Sequence, residues 1–252
     1  AIVGNTAGSG SGGGIRNAGT LTVHSSTISG NTAGQGGGVF SSTDHGPFTA
    51  ASTRTILVNT TLSGNTSTTQ GGGLYNFDGL TYLMNCTLTG NTAPASFGAG
   101  VATYGDSGTV TRFANTLCVG NTASDVDVSP NTTISNTSLG GNLIGTGNSG
   151  ANFPGQTTTA AANTILDATL ANNGGPTLTH ALVASSPALN AGTNAIAVNP
   201  TDAIFGDGND VPLTTDQRGP GFTRIIGTVD IGAFEGPPAP EIHVTGNGTD
   251  IT

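Results

Sequence analysis

One short string recurs through the first half of this chain and limits what it can fold into. Gly-Asn-Thr followed by Ala or Ser stands at Gly4–Ala7, Gly30–Ala33, Gly64–Ser67, Gly90–Ala93 and Gly120–Ala123, and Gly141-Asn142-Leu143 reads as a degenerate further copy. Successive glycines are 26, 34, 26, 30 and 21 residues apart. Soon after the first four copies comes a glycine-rich cluster: Gly12-Gly13-Gly14-Ile15, Gly36-Gly37-Gly38-Val39, Gly71-Gly72-Gly73-Leu74 and Gly98-Ala99-Gly100-Val101. Self-similarity at such a period is the mark of a repeat architecture, in which each unit buries its apolar face only by stacking on the next.

Aligning the copies on their Gly-Asn pair brings out further columns upstream of it. Val23, Leu57, Leu83, Phe113 and Ile134 fall in one column. Ser25, Asn59, Asn85, Asn115 and Asn136 fall in another, and Ile28, Leu62, Leu88, Cys118 and Leu139 in a third. Two or three short alternating strands per repeat predict one coil of a parallel β-solenoid, whose backbone bonds are completed by coils about 4.8 Å away. The aliphatic columns become inward ladders. The Asn59 column marks a bend, where stacked amides can bond along the axis as in cross-β stacks. Glycine clusters supply positive-φ corners, and Thr suits outward strand positions. A flexible Gly-rich linker has no reason to keep aliphatic residues in register. The expected fold is therefore all-β: a right-handed parallel β-helix with an atypical C-terminal cap and a terminal strand.

Composition removes competing classes. Five arginines in 252 residues with a net charge of −9 leave no basic footprint for nucleic acid. No apolar run approaches the roughly 20 residues of a spanning helix, and Gly, Thr and Asn are poor helix formers. A hydrophobic content of 34% with only 8% charged residues argues against disorder. Cys86 and Cys118 lie in neighbouring copies but in columns offset by two. Their Cα atoms should therefore be more than about 8 Å apart, beyond the reach of a bridge, and two free buried thiols are expected.

The register fades near Leu143. We expect β-helix repeats over 1–145, terminal coils and a shielding cap over 146–236, and a Pro-rich linker with a strand over 237–252. The Gly-Gly-Gly-Ile…Ser-Gly-Asn-Thr-Ala repeats resemble the right-handed β-helix repeats of bacterial surface proteins akin to polymorphic outer-membrane proteins. The segment Asn172–His180, Ser186–Gly192, Asp216-Gln217-Arg218-Gly219, Arg224 and Asp230–Glu235 resembles the choice-of-anchor Q domain of secreted bacterial proteins, with Asn190 where that pattern often has Asp. The two resemblances imply export, a β-helix and attachment to a larger extracellular assembly, and no defined catalytic activity. Segments similar to Pro237–Gly248 open immunoglobulin-like repeats in such proteins, so the chain reads as a piece of a longer exported product with its leader removed.

Chemistry is sparsely encoded. Inverting glycoside hydrolysis needs two carboxylates about 6.5–9.5 Å apart. Asp44, Asp78 and Asp106 fall in insertions, while Asp125-Val126-Asp127 alternates as an outward, solvated strand face. With lysine absent and His24, His45, His180 and His243 scattered, no catalytic set is expected. His180, inside the cap motif, reads as a packing or hydrogen-bonding residue. Asp202, Asp207, Asn209, Asp210 and nearby Asp216 gather oxygen donors of the kind calcium takes. They lack the spacing and closing Glu of an EF-hand, and an exposed acidic turn is the competing reading. Asp216, Asp230 and Glu235 beside Arg218 and Arg224 suggest structural ion pairs. Phe40, Tyr75 and Tyr104 follow successive glycine clusters, either as a sugar-stacking platform or as packing beneath the insertions. The Asn-x-Ser/Thr triplets at Asn59, Asn65 and Asn131 arise from the repeat and are weak glycosylation signals. Ile2 and Val3 begin in mid-repeat and leave a β-edge that the alternating Ile242 and Val244 of another copy could cover; the ordinary alternative is a cap formed by residues upstream of this sequence. The expected role is a non-catalytic extracellular or cell-surface scaffold, a stalk or an end-to-end fibre. Its partners are further copies and surface or matrix components, with no nucleic acid and no membrane span. A carbohydrate-binding or carbohydrate-cleaving β-helix is the alternative.

Overall fold

The computed structural model describes residues 1–43, 53–95, 97–122, 124–147, 153, 156–200 and 207–237. Three parallel sheets run the length of a solenoid. Sheet 1 stacks Ile2–Val3, Thr27–Ser29, Thr61–Ser63, Thr87–Thr89, Leu117–Cys118 and Leu143–Ile144. Sheet 2 stacks Ile15–Asn17, Val39–Ser41, Leu74–Phe77, Val101–Tyr104 and Val126–Val128, and sheet 3 stacks Thr20–His24, Arg54–Val58, Leu80–Met84, Val110–Ala114 and Ser135–Gly140. Thr32–Gln35 pairs with Thr66–Gln70 as a short fourth ladder. Helix is confined, among the described residues, to the 3-10 turns Ala162–Thr164 and Asn194–Ile196.

Two aliphatic columns stand as the repeat predicts for four coils. Val23, Leu57, Leu83 and Phe113 are direct neighbours in sheet 3, and Ile28, Leu62, Leu88 and Cys118 are neighbours in sheet 1. With Val39, Leu74, Val101 and Val126 of sheet 2 they form one buried core, each large side chain worth about 1.5–3 kcal/mol of burial. Cys86 and Cys118 are both buried and unbridged, as their offset columns require. Phe153 is fully buried and meets Phe113 edge to face at 5.1 Å between ring centres, closing the C-terminal end of the shaft.

The last coil departs from the alignment. Phe113 pairs with Ser138 rather than Ile134, and the register then shifts so that Ala114 pairs with Gly140. Cys118 pairs with Ile144, not Leu139. Gly141 therefore stands beside Asn115, with φ of 61° against 47°, and Gly141-Asn142 belongs to the corner before sheet 1, not to the one after it. A one-residue bulge is enough to carry a Gly-Asn pair from one corner to the other.

The segment that follows the repeats covers the end with its first residues and the flank with the rest. Residues 160–200 and 207–237 run along the side of the solenoid as a clamp over sheets 1 and 3. Ile165, Leu166, Ala188 and Ile231 pack on Leu117 and Val119. Val198, Leu213 and Ile196 pack on the outward Ile56, Val58, Tyr82 and Met84 of sheet 3. Those outward apolar residues are shielded from water by the clamp, so the segment serves a lateral need, while the bridges Val126–Gly147 and Ile144–Thr157 extend the stack at its end.

Candidate functional site

The repeat's two asparagine columns do different work. Ser25, Asn59, Asn85 and Asn115 hold φ of 46–50°, a left-handed corner that Asn tolerates better than most residues. The bend is as expected, but the axial amide ladder is not there. It is built instead by the asparagines of the Gly-Asn-Thr string. Asn5 Nδ2 donates to Asn31 Oδ1 at 2.9 Å, Asn31 to Asn65 at 2.9 Å, Asn65 to Asn91 at 2.9 Å and Asn91 to Asn121 at 2.8 Å. Each acceptor also takes the donor residue's backbone N–H at 3.0–3.1 Å. Asn31, Asn65, Asn91 and Asn121 each send a second Nδ2 bond back to a carbonyl of the preceding coil, of Ile2, Ile28, Leu62 and Leu88. Glycine makes room for the ladder: a Cβ on Gly38 or Gly73 would lie 2.5–2.6 Å from a neighbouring carbonyl oxygen and 3.1 Å from the Asn65 or Asn91 amide. The glycine cluster and the Gly-Asn pair are thus two halves of one packing solution.

The ladder has a direction, so its ends differ. At the C-terminal end Asn121 donates from N and Nδ2 to Asp125 Oδ1 at 2.8 and 2.7 Å. Burial pushes the Asp125 carboxyl above its usual range, offset in part by those bonds. The expected solvated acidic face is therefore absent. Asp125 is 3% exposed and Asp127 0%, and Asp127 accepts from Tyr104 Oη. Asp125 stops the ladder because a carboxylate accepts without donating. At the N-terminal end no donor reaches Asn5 Oδ1 among the described residues. The first strands of all three sheets are edges there. Ile2 is half-buried and Val3 is 59% exposed, in contrast to the buried strands of the interior coils.

The left-handed corner column is the seat of the clamp. Asn59 Nδ2 donates to the Thr215 carbonyl at 2.8 Å, and Asn115 exchanges bonds with Thr193 at 3.0 and 2.7 Å. Outward threonines of sheet 1 continue the seam. Thr61 Oγ1 donates to Gln217 Oε1 at 2.6 Å, Gln217 Nε2 donates to Thr27 Oγ1 at 3.1 Å, and Thr87 Oγ1 accepts from the Ala233 N–H at 2.9 Å. His180 takes the expected hydrogen-bonding role, with Nε2 at 2.8 Å from Ser63 Oγ and Nδ1 at 2.7 Å from the Asp167 carbonyl oxygen.

Behind this seam lie the suggested charged residues. Arg218 forms an ion pair with Asp216 at 2.6 Å and lies between the rings of Phe222 and Phe234, 4.0 and 3.9 Å from their centres. Arg224 is fully buried. Its Nη2 donates to Asn85 Oδ1 at 3.0 Å and to the carbonyls of Asp230 and Gly232 at 2.8 Å. Burial lowers its pKa, countered by the charges of Glu235, Asp216 and Asp230. Glu235 accepts the Asp230 N–H at 3.0 Å. Burial raises its pKa to about 7 despite Arg224.

Asp202, Ile242 and Val244 lie outside the described residues, as do Asp44 and His45. Asp207 accepts from Asn209 N and Nδ2, both at 2.9 Å, in a local turn, and Asp216 is engaged by Arg218. No group of three or more His, Cys, Asp or Glu is arranged to hold a metal among the described residues. Phe40 and Tyr75 are 5% and 2% exposed and pack edge to face. Packing, not a platform, is their role, while Phe77 and Phe97 are exposed rings. Asn59 and Asn65 are buried and Asn131 is exposed. No helix is long and apolar enough to cross a membrane among the described residues. Comparison with known protein families, curated proteins and solved structures finds no match.

Proposed function

We propose that this chain is a non-catalytic structural solenoid of the cell surface or extracellular space, a stalk or fibre unit. One observation carries the reading: its buried acids are consumed in architecture. Asp125 terminates the asparagine ladder, Asp127 holds Tyr104, Asp216 holds Arg218, and Asp230 and Glu235 accept backbone N–H groups. General acid–base chemistry needs a carboxyl within reach of a substrate proton, and these are turned to protein donors.

The resemblance to polymorphic outer-membrane-protein repeats and to a choice-of-anchor Q domain belongs to the same proposal. Asn173, Thr179, His180, Asp216, Gln217, Arg218, Arg224, Asp230 and Glu235, which carry the second resemblance, also build the clamp and its seam. That coincidence supports reading the motif as a packing unit in an exported scaffold. The test is negative-stain microscopy of the purified protein together with a glycan array and a screen for polysaccharide cleavage. Rod-shaped particles with neither glycan binding nor cleavage are expected. Saturable glycan binding abolished by Phe77→Ala would instead establish the carbohydrate reading, since Phe77 stands beside Tyr104 on the outer face of sheet 2.

A further inference from the structure

Where the asparagine ladder stops, the repeat is broken in a way that leaves a cleft. In the register that pairs Leu117–Cys118 with Leu143–Ile144, Gly145 stands beside Val119, in the outward column of Ser29, Ser63 and Thr89. Thr146 stands beside Gly120, in the corner column of Gly30, Gly64 and Gly90. A side chain is thus missing from the outward column, and a hydroxyl appears at the corner. The chain then turns to sheet 2, where Gly147 bridges Val126. No asparagine follows Asn121, and Asp125 takes the last place in the ladder. Between these segments and residues 158–162 lies a cleft of about 190 Å³, room for several groups of the size of water.

Asp125 forms part of the wall of this cleft. Its Oδ1 is taken by Asn121, while Oδ2 lies against Gly145, where a Cβ would collide with it. Asp216 has Arg218, and Asp230 and Glu235 have Arg224. By contrast, no positive side chain among the described residues acts on Asp125, whose burial is offset only by Asn121 and the Thr146 N–H. Elsewhere in the wall Thr146, Thr158 and Thr159 bring hydroxyls, and Ala161 and Ala162 bring methyl groups. We propose that the cleft binds a primary ammonium group on a short aliphatic stem, ion-paired to Asp125. One carboxylate matches one positive charge, whereas calcium takes six to eight oxygens. An ammonium has three donors and no acceptor, which suits a wall of carboxylate and hydroxyl oxygens, and the methyl groups suit the stem. The chain has no lysine, so no side chain of a second copy supplies the group. It arrives as a free amine or on a lysine of a different protein. A lone carboxylate holds a cation without forming the acid–base pair that glycoside cleavage needs, so the site goes beyond the scaffold role without depending on it.

Amide proton–nitrogen NMR of the full chain, titrated with ethylammonium chloride at constant ionic strength, tests it. Saturable shifts of the Asp125, Thr146 and Thr158 amides are expected, with a Kd of about 1 mM, near the ceiling for so small a ligand. Tetramethylammonium chloride, which carries the charge without an N–H, should give none. Asp125→Asn removes the charge but keeps an oxygen for Asn121, and should weaken binding about tenfold or more. Ala161→Phe leaves the ladder untouched and fills the cleft, so it should abolish the shifts and serves in place of Asp125→Asn should that variant fail to fold. Far-UV circular dichroism reports folding. The absence of saturable shifts overturns the proposal, as does an equal response to tetramethylammonium or undiminished binding by either folded variant. The source of the group follows from a second titration, with Nα-acetyl-lysine methylamide. Binding as tight as that of ethylammonium or tighter assigns the group to a partner protein's lysine, and weaker binding assigns it to a free amine; both uphold the ammonium site.

Discussion

At the scale of the residue, asparagine has two roles that look alike in sequence and differ in cost. A ladder amide is buried, and its loss leaves partners on two coils without donor or acceptor. Asn65→Ala is expected to cost about 2–4 kcal/mol, since each orphaned buried group costs roughly 1–3, and urea titration measures it. Asn59→Gly keeps the left-handed corner free of strain while giving up one bond to Thr215, so a loss nearer 1 kcal/mol is expected. A larger effect at Asn59 than at Asn65 would reverse the assignment of the two columns. Cysteine gives an independent check. Burial raises Cys86 to about 12 and moves Cys118 well upward as well. Because the thiolate is the reactive form, neither should react with a thiol reagent in the native state. Both should label on unfolding, read by mass shift.

At the scale of the element, the clamp is a second layer tied on by polar contacts and two opposed titrations. Glu235 keeps its proton in the folded clamp up to about pH 7, whereas its ordinary value is 4.5. Its contribution is therefore complete below about pH 4.5 and is lost as pH rises towards 7. His180 is held below its ordinary 6.5 by burial, against the pull of the Asp167 carbonyl and charge. Its contribution is present above that value and lost as pH falls beneath it. Melting temperature should therefore decline from pH 5 to 7.5 through Glu235, and Glu235→Gln should flatten that limb; an unchanged slope would deny the carboxyl its role. Arg224→Ala leaves Asn85 Oδ1 and the Asp230 and Gly232 carbonyls without their buried donor and should cost about 3 kcal/mol, seen as a lower denaturation midpoint.

At the scale of the whole molecule, the clamp changes how a solenoid behaves. Stacked coils contact only their neighbours and can unravel piecewise. Here Gln217 reaches Thr27 and Thr61 while Thr193 holds Asn115, so one segment grips coils from both halves of the stack. Unfolding of the full chain should be a single transition by circular dichroism and by tyrosine fluorescence alike. Removing residues 160–252 should expose Ile56, Val58, Tyr82 and Met84 on sheet 3 and cause aggregation, read by light scattering. A soluble, monomeric truncated solenoid would show that the clamp is dispensable.

Much of this architecture was legible in the repeat. Inward columns such as Ile28, Leu62 and Leu88 recur because a coil can be buried only by an equivalent coil, and their spacing also placed the two thiols apart. The bend at Asn59, Asn85 and Asn115 was legible for the same reason. The string did not say which asparagine column carried the ladder, since both lie at corners; the direction of each side chain depends on whether the local φ is positive. Nor could it locate the slip at Gly141, where a bulge moves a familiar pair to a different corner. The acids show the same division. Asp125 and Asp127 alternate as a solvated strand would, yet one ends an interior ladder and the other holds a tyrosine from the neighbouring coil. A repeating sequence determines what stacks upon itself, because every coil poses the same local problem. Only the tertiary structure decided where the non-repeating third of the chain lies, because its partners, Thr27, Thr61 and Asn115, are more than 75 residues away in sequence and no local pattern encodes them.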